Sequence, residues 1–195
     1  MMYIISMSLI LKNIILNGKK HDIRIAGCRF QKIAPKIETA AGDEVIDGSG
    51  KAVFPGFYNL HTHAAMSLLK GIGDDKELFS WLSQNIWPRE AKFDADIIYA
   101  GTKLAVLEMV KSGTVFFSDM YFEQAAIMKA VAECGIRAAV SIVGFDMFDP
   151  EQTKQKIAAT EAFLELFNPC PERISKTLSI HSVYTVSEEL IRYMA

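Results

Sequence analysis

The amino-acid sequence predicts an α/β chain: the first half of a (β/α)8 barrel of the TIM type, entered through a short segment of strands. Three observations carry that expectation. From Val53 onward, runs that are apolar on both faces alternate with stretches of helical spacing, as in a parallel sheet covered by helices. No G-x-G-x-x-G or G-x-x-x-x-G-K-[ST] follows any of those runs, which weakens the nucleotide-binding open sheets. His61, His63, Asp119 and His181 all fall at the C-terminal ends of predicted strands, where a barrel carries its working residues.

Residues 1–52 read as short strands joined by turns. "SLILKNIIL" is followed by the turn "NGKK", then by "DIRIAG" with apolar residues at alternate positions. A second turn at Gly27-Cys28 leads to "FQKIAP" and then "DEVIDGSGKAVFPG". So little strand cannot hold a sheet domain by itself, so this part is expected to pack on something else. The opening "MMYIISMSLILKNIILNG" lacks a basic leader region and a small-residue cleavage site, and Lys12 and Asn13 interrupt it. It reads as one or two buried strands, and no apolar run reaches the ~20 residues of a membrane span.

The alternating part begins with "AVFPGFYNL", followed by the strands "TVFFSDM", "IRAAVSIVG" and "TLSIHS". A helix is expected from about Ala95 to Ser112, with Asp94 as N-cap, Gly113 beyond its end, and Ile98, Gly101, Ala105 and Met109 on one face. A second runs from about Glu123 to Cys134 and stops at Gly135. A third opens at Asp149-Pro150, where proline suits the first helical position, and stops before Pro169. A fourth begins near Val186, where Thr185-x-x-Glu188 matches a capping box. A complete barrel takes eight strands and ~250 residues, so residues 53–195 amount to half of one.

Composition narrows the function classes. Half of the residues are hydrophobic, and 21 basic against 23 acidic residues give a net charge of −2. That balance argues against a nucleic-acid-binding surface, which needs a clustered basic excess. Cys28, Cys134 and Cys170 are odd in number and form no C-x-x-C. They read as buried thiols of a reducing cytoplasm.

Two of the four histidines lie in "PGFYNLHTH". On a strand, residues i and i+2 point to the same side, so His61 and His63 present two imidazoles to one point. Two neutral imidazoles suit a borderline-soft divalent metal such as Zn2+. The alternative is that Thr62 faces inward and the pair is an exposed polar turn.

The flanking sequence bears on that choice. "PGFYNLHTHAAMSLLKGIGDDKELFSWLSQNIWPREAKF" resembles the start of the barrel in the amidohydrolase superfamily. It is closest to the 5′-methylthioadenosine/S-adenosylhomocysteine deaminases and related chlorohydrolases. "EVIDGSGKAVFPG" resembles the lead-in from that family's small β-sandwich to its barrel. The resemblance implies residues 1–52 as the N-terminal part of the sandwich and 53–195 as the first half of the barrel. It also implies His61 and His63 as metal ligands, Glu90 of "WPREAKF" as the acceptor of ribose hydroxyls, and Trp87 as a wall of the nucleoside pocket. His181 of "SIHSVYTVSEEL" matches a substrate-contacting histidine. It stands where two-metal relatives carry a carboxylated lysine, which implies one metal.

Read without the resemblance, Glu90 is also a solvated charge at a helix start, Trp87 a buried structural residue and His181 a core histidine. Asp119 either orders a histidine or caps the next helix, and the structural role is favoured. The activity implied is deamination of an adenosine-type nucleoside by attack of metal-bound hydroxide, releasing ammonia. The remaining ligands and the proton shuttle are expected beyond Ala195, so these 195 residues are expected to be inactive alone. Chlorohydrolase or guanine deaminase chemistry, or a non-catalytic half-barrel, are the alternatives. Self-association or a missing C-terminal segment is expected at the open sheet edges, and no membrane partner is expected.

Overall fold

A computed structural model describes residues 8–168 and 170–195. The start of the predicted opening strand, residues 1–7, and the stop signal Pro169 lie outside the described residues. The chain divides into two compact units, one ending at Pro55 and the other spanning Gly56–Ala195.

The first unit is a four-stranded sheet of β1 (Ser8–Leu16), β2 (Lys19–Ala26), β3 (Arg29–Ala34) and β4 (Glu44–Asp47), in the order β3-β2-β1-β4. β1 and β2 form a hairpin through Asn17-Gly18, whose φ values of 50° and 75° suit a two-residue turn matched to the twist of the strands. β4 runs parallel to β1. Ile10, Ile14, Ile23 and Ile37 are buried here, while Phe30, Ile33, Val45 and Ile46 remain exposed. Asp22 is buried beside them and accepts from Lys12 Nζ at 2.8 Å and from the amides of Asn13 and Ile37 at 2.9 Å. Burial opposes its charge, but these donors outweigh that and hold the carboxyl at about 2.

The second unit is a parallel sheet in sequential order: β5 (Phe57–Thr62), β6 (Thr114–Met120), β7 (Arg137–Gly144) and β8 (Ile174–Ile180). β5 starts at Phe57 rather than at Val53. The Val53 amide instead donates to the Ile15 carbonyl at 2.9 Å, within the first unit. Three helices cover one face: α3 (Ala95–Lys111), α4 (Gln124–Cys134) and α5 (Pro150–Glu165). Their side chains Ile98, Val106, Ile127, Val131 and Phe163 close a core over Phe117, Val140 and Ile142. The expected cap holds at Asp94, which accepts from the Ile97 amide, and Asp149 caps α5 by accepting from the Glu151 amide. Gly135 ends α4 at φ 73°, a left-handed position that glycine takes without strain.

Two local expectations are corrected. α6 (Glu188–Met194) is capped by Ser187, which accepts from the Leu190 amide, and not by Thr185. Serine sits one residue before the helix, and Thr185 is drawn into the preceding turn. The three cysteines are free, but Cys28 and Cys134 are exposed and Cys170 is only half-buried. Cys28 lies in a hairpin turn and Cys134 in the last turn of a helix, where little packs on either.

Between β5 and α3 the chain is helical in pieces that periodicity does not reveal. A 3-10 turn at Ala64–Leu69 comes first. Then α1 (Leu78–Trp81), a π-helical turn (Leu82–Ile86) and α2 (Trp87–Glu90) follow without a break. Each piece is too short for a recurring apolar face to show. Gly101 makes the packing of the 3-10 turn on α3 possible, because a Cβ there would stand 2.7 Å from the Ala65 carbonyl oxygen. The Ser67 hydroxyl donates to the Gly101 carbonyl at 2.8 Å across the same contact.

Candidate metal and substrate site

His61 and His63 leave the end of β5 with ring centroids 5.0 Å apart and planes at 77°. A bulge orients them. β5 spends three steps from Asn59 to Thr62 where β6 spends two from Phe117 to Asp119, and an extra residue of this kind re-aims a strand end. Thr62 is consequently buried against the helix layer, where its hydroxyl lies 2.7 Å from Asp119 Oδ1 and 3.0 Å from the Ser118 carbonyl. Thr62 therefore points toward Asp119, away from the side on which the two histidines lie. The flanking histidines are left exposed on the opposite side.

The ring of His63 is fixed as well as aimed. Its Nδ1 lies 2.7 Å from the Met120 carbonyl oxygen. A carbonyl only accepts, so Nδ1 carries the proton and the Nε2 lone pair is free. Asp119 is fully buried beneath the pair. Its Oδ1 accepts from the Ala64 amide at 2.7 Å and so caps the turn that follows His63, not the helix after β6. Among the described residues its Oδ2 has no hydrogen-bond partner. Burial pushes this carboxyl above its ordinary value, against the pull of Ala64, Thr62 and the two histidines.

Glu90 is the last residue of α2, not the first of a helix. Its Oε1 accepts from the Tyr121 hydroxyl at 2.5 Å. The Tyr121 ring lies 5.8 Å from His63 and stacks on Phe122 at 4.1 Å. Burial, and then the Glu90 carboxylate, push the phenol well above its usual range, so Tyr121 serves as a donor. Sequence reasoning missed this residue, although its position one step beyond the end of β6 was a signal. Tyr121 joins Glu90 to the histidine pair. Trp87 is 47% exposed, which overturns its reading as a buried structural residue. It packs edge-on against Phe79 at 5.8 Å.

His181 follows β8 and is exposed, so it is not a core histidine. Its amide donates to the Gly144 carbonyl at 2.9 Å, its Nδ1 lies 3.0 Å from Thr185 Oγ1, and Phe145 faces it at 6.4 Å. It belongs to the β7–β8 end of the sheet, whereas His61, His63, Tyr121 and Glu90 gather at the β5–β6 end. Among the described residues no group of three or more His, Cys, Asp or Glu is placed to hold a metal. Two imidazoles, one with its tautomer set, still suit a borderline-soft divalent cation as part of a donor set. The partnerless Oδ2 of Asp119 fits the same reading, since a nearby cation would offset its charge.

The fold recurs in solved structures. An adenosine deaminase from Xanthomonas campestris with bound zinc superposes with a TM-score of 0.80 at 23% identity, over 96% of this chain and 46% of that one. A guanine deaminase from C. acetobutylicum with bound guanine superposes at 0.75 and 22% identity, over 96% and 48%. The fold is therefore that of an α/β half-barrel. Residues 52–195 match the amidohydrolase family, and the chain belongs to it. Among its relatives, the 5′-deoxyadenosine deaminase of Methanocaldococcus jannaschii is 41% identical over 94% of this chain and 44% of its own length. The 5-methylthioadenosine/S-adenosylhomocysteine deaminase 1 of Archaeoglobus fulgidus is 45% identical over 89% and 40%. The chain spans less than half the length of these relatives. No helix among the described residues is long and apolar enough to cross a membrane.

Proposed function

We propose that this chain is the N-terminal portion of a metal-dependent deaminase acting on an adenosine-type nucleoside with a small or thioether 5′ substituent. The observation that carries the reading is the bulged end of β5, which turns His61 and His63 to one side and leaves the His63 Nε2 lone pair free. The relatives named for deamination of 5′-deoxyadenosine and of methylthioadenosine or S-adenosylhomocysteine favour this substrate class over guanine.

In this reading His61 and His63 supply two ligands to one divalent metal, zinc by its donor chemistry and by the zinc-bound relative. The metal, when bound, supplies an activated water at neutral pH. The chain's own residues do the rest. Asp119 and Thr62 hold the backbone of the histidine pair, and the Met120 carbonyl keeps the proton of His63 on Nδ1. Glu90, one oxygen already engaged by Tyr121, accepts from the ribose hydroxyls with the other. Trp87 flanks Glu90 on the same short helix as a wall for the nucleoside, and His181 meets the substrate from the β8 end. The domain assignment belongs with this reading: residues 1–52 open a small β-sandwich and 53–195 half of the barrel. A further segment of the same protein, or a second copy, covers the open edges of β5 and β8. The compartment that suits three free thiols is the cytoplasm.

Zinc and ammonia release test the proposal together. The 195-residue chain should bind zinc weakly and deaminate nothing, because a catalytic zinc takes three protein ligands. The reading frame extended by ~200 residues, about the second half of a barrel chain, should release ammonia from 5′-deoxyadenosine and lose that activity in His61→Ala. Zinc-dependent turnover by the short chain, or an extended chain inert towards every adenosine analogue, would overturn it.

A further inference from the structure

Asp146 is a fully buried carboxylate just beyond the end of β7, and nothing in the proposed chemistry uses it. It organises the loops around it. Oδ1 accepts from the amides of Ser187 at 2.9 Å and Phe148 at 3.1 Å, and Oδ2 from the hydroxyls of Ser187 at 2.5 Å and Thr153 at 2.7 Å. The amides of Asp146 and Met147 both donate to the Thr185 carbonyl at 3.1 Å. One residue therefore grips segment 185–187 from two sides and ties it to α5 through Thr153. Met147 and Phe148 take φ values of 49° and 61°, a left-handed pair that persists only where its surroundings demand it.

That grip ends at His181. Thr185, held by its carbonyl, turns its hydroxyl to His181 Nδ1 at 3.0 Å and to Ser182 Oγ at 2.9 Å. The His181 backbone is already pinned through its amide to Gly144, so the ring torsions are its remaining freedom. The Thr185 hydroxyl also donates to the Ser182 carbonyl at 3.3 Å, which leaves its lone pairs for His181 Nδ1. A hydroxyl held in that way selects the ring orientation and the Nδ1–H tautomer, and with them an accepting Nε2. We propose that Asp146 is a positioning residue for His181, acting through Thr185 to fix the orientation and the proton of the imidazole that faces the substrate. The substrate-facing part of the statement rests on the functional reading above, but the positioning does not.

The test reads the ring itself. Long-range proton–nitrogen NMR of the 195-residue chain resolves four imidazoles, and His181→Gln assigns the relevant one. With the ring neutral, the two His181 nitrogen shifts should lie far apart, as one dominant tautomer requires. In Asp146→Asn and in Thr185→Val they should converge toward the average of two tautomers, while Thr185→Ser, which keeps the hydroxyl, should restore the separation. Should Asp146→Asn fail to fold, the Thr185 pair decides. Converged shifts in the wild-type chain, or separated shifts in Thr185→Val, would overturn the proposal. Unmoved separation in a folded Asp146→Asn would overturn it too. Adding adenosine separates the two claims: a locked ring whose resonances ignore the nucleoside leaves the positioning standing and removes the substrate contact.

Discussion

Two aspartates, each buried at the end of a central strand, do opposite things with their charge. Asp146, beyond β7, accepts four hydrogen bonds from two amides and two hydroxyls. Burial works against its ionisation, but the Ser187 and Thr153 hydroxyls and the two amides prevail and hold its carboxyl at about 2. Asp119, in β6, has two donors on one oxygen and, among the described residues, none on the other, and burial keeps its carboxyl above the ordinary value. A saturated carboxylate is a structural rivet. An unsaturated one beside two imidazoles is a buried carboxyl whose charge is costly without a counter-charge. The β7–β8 end is thus self-sufficient, and the β5–β6 end is the one that a cation would stabilise in the proposed reading.

Substitution should separate the two sharply. Asp146→Ala leaves two buried amides and two hydroxyls without their acceptor and should lower stability by about 3 kcal/mol in urea unfolding. Gly101→Ala drives a methyl into the Ala65 carbonyl at the β5–β6 end and should cost about 2 kcal/mol by the same measurement. Asp119→Asn should weaken zinc binding by about tenfold in calorimetry, the usual effect of removing a carboxylate that supports metal ligands. Its effect on stability without metal should stay within about 1 kcal/mol, because the uncompensated charge goes with it. Equal destabilisation by the two aspartate substitutions would erase the distinction.

Acid supplies the smallest and most selective test. The carboxyl of Asp146 is depressed in the folded state, so its contribution is fully present above the ordinary value of 3.8 and is lost as pH falls through about 2. The wild-type chain should therefore lose stability across that window more steeply than Asp146→Asn. Asp22 of the first unit titrates in the same window and contributes equally to both proteins, so the difference between them isolates Asp146.

Much of this was legible in advance. Strands β6 and β7, helices α3 to α5, the cap at Asp94, the proline start at Asp149-Pro150 and the glycine stop at Gly135 follow from periodicity and local rules. These depend on neighbours a few residues apart. The histidine pair was legible because two ligands one residue apart need only a strand to converge. The short helices between Ile72 and Glu90 were not, because no piece is long enough to repeat a face. Tyr121 and Asp146 escaped notice for another reason. Their partners, Glu90 for the one and Thr153 and Ser187 for the other, lie at separations of 7 to 41 residues.

The sequence by itself determined the order of the elements, the half-barrel class, the family and the residues that could hold a metal. Each of these is written in spacing, composition or motif. Only the tertiary structure decided which way those residues face and what holds them there. The bulge that turns Thr62 toward Asp119, the Tyr121 bridge to Glu90 and the grip of Asp146 on the His181 loop are contacts between distant segments. Such contacts come into being when the sheet closes in register, and no local rule encodes them.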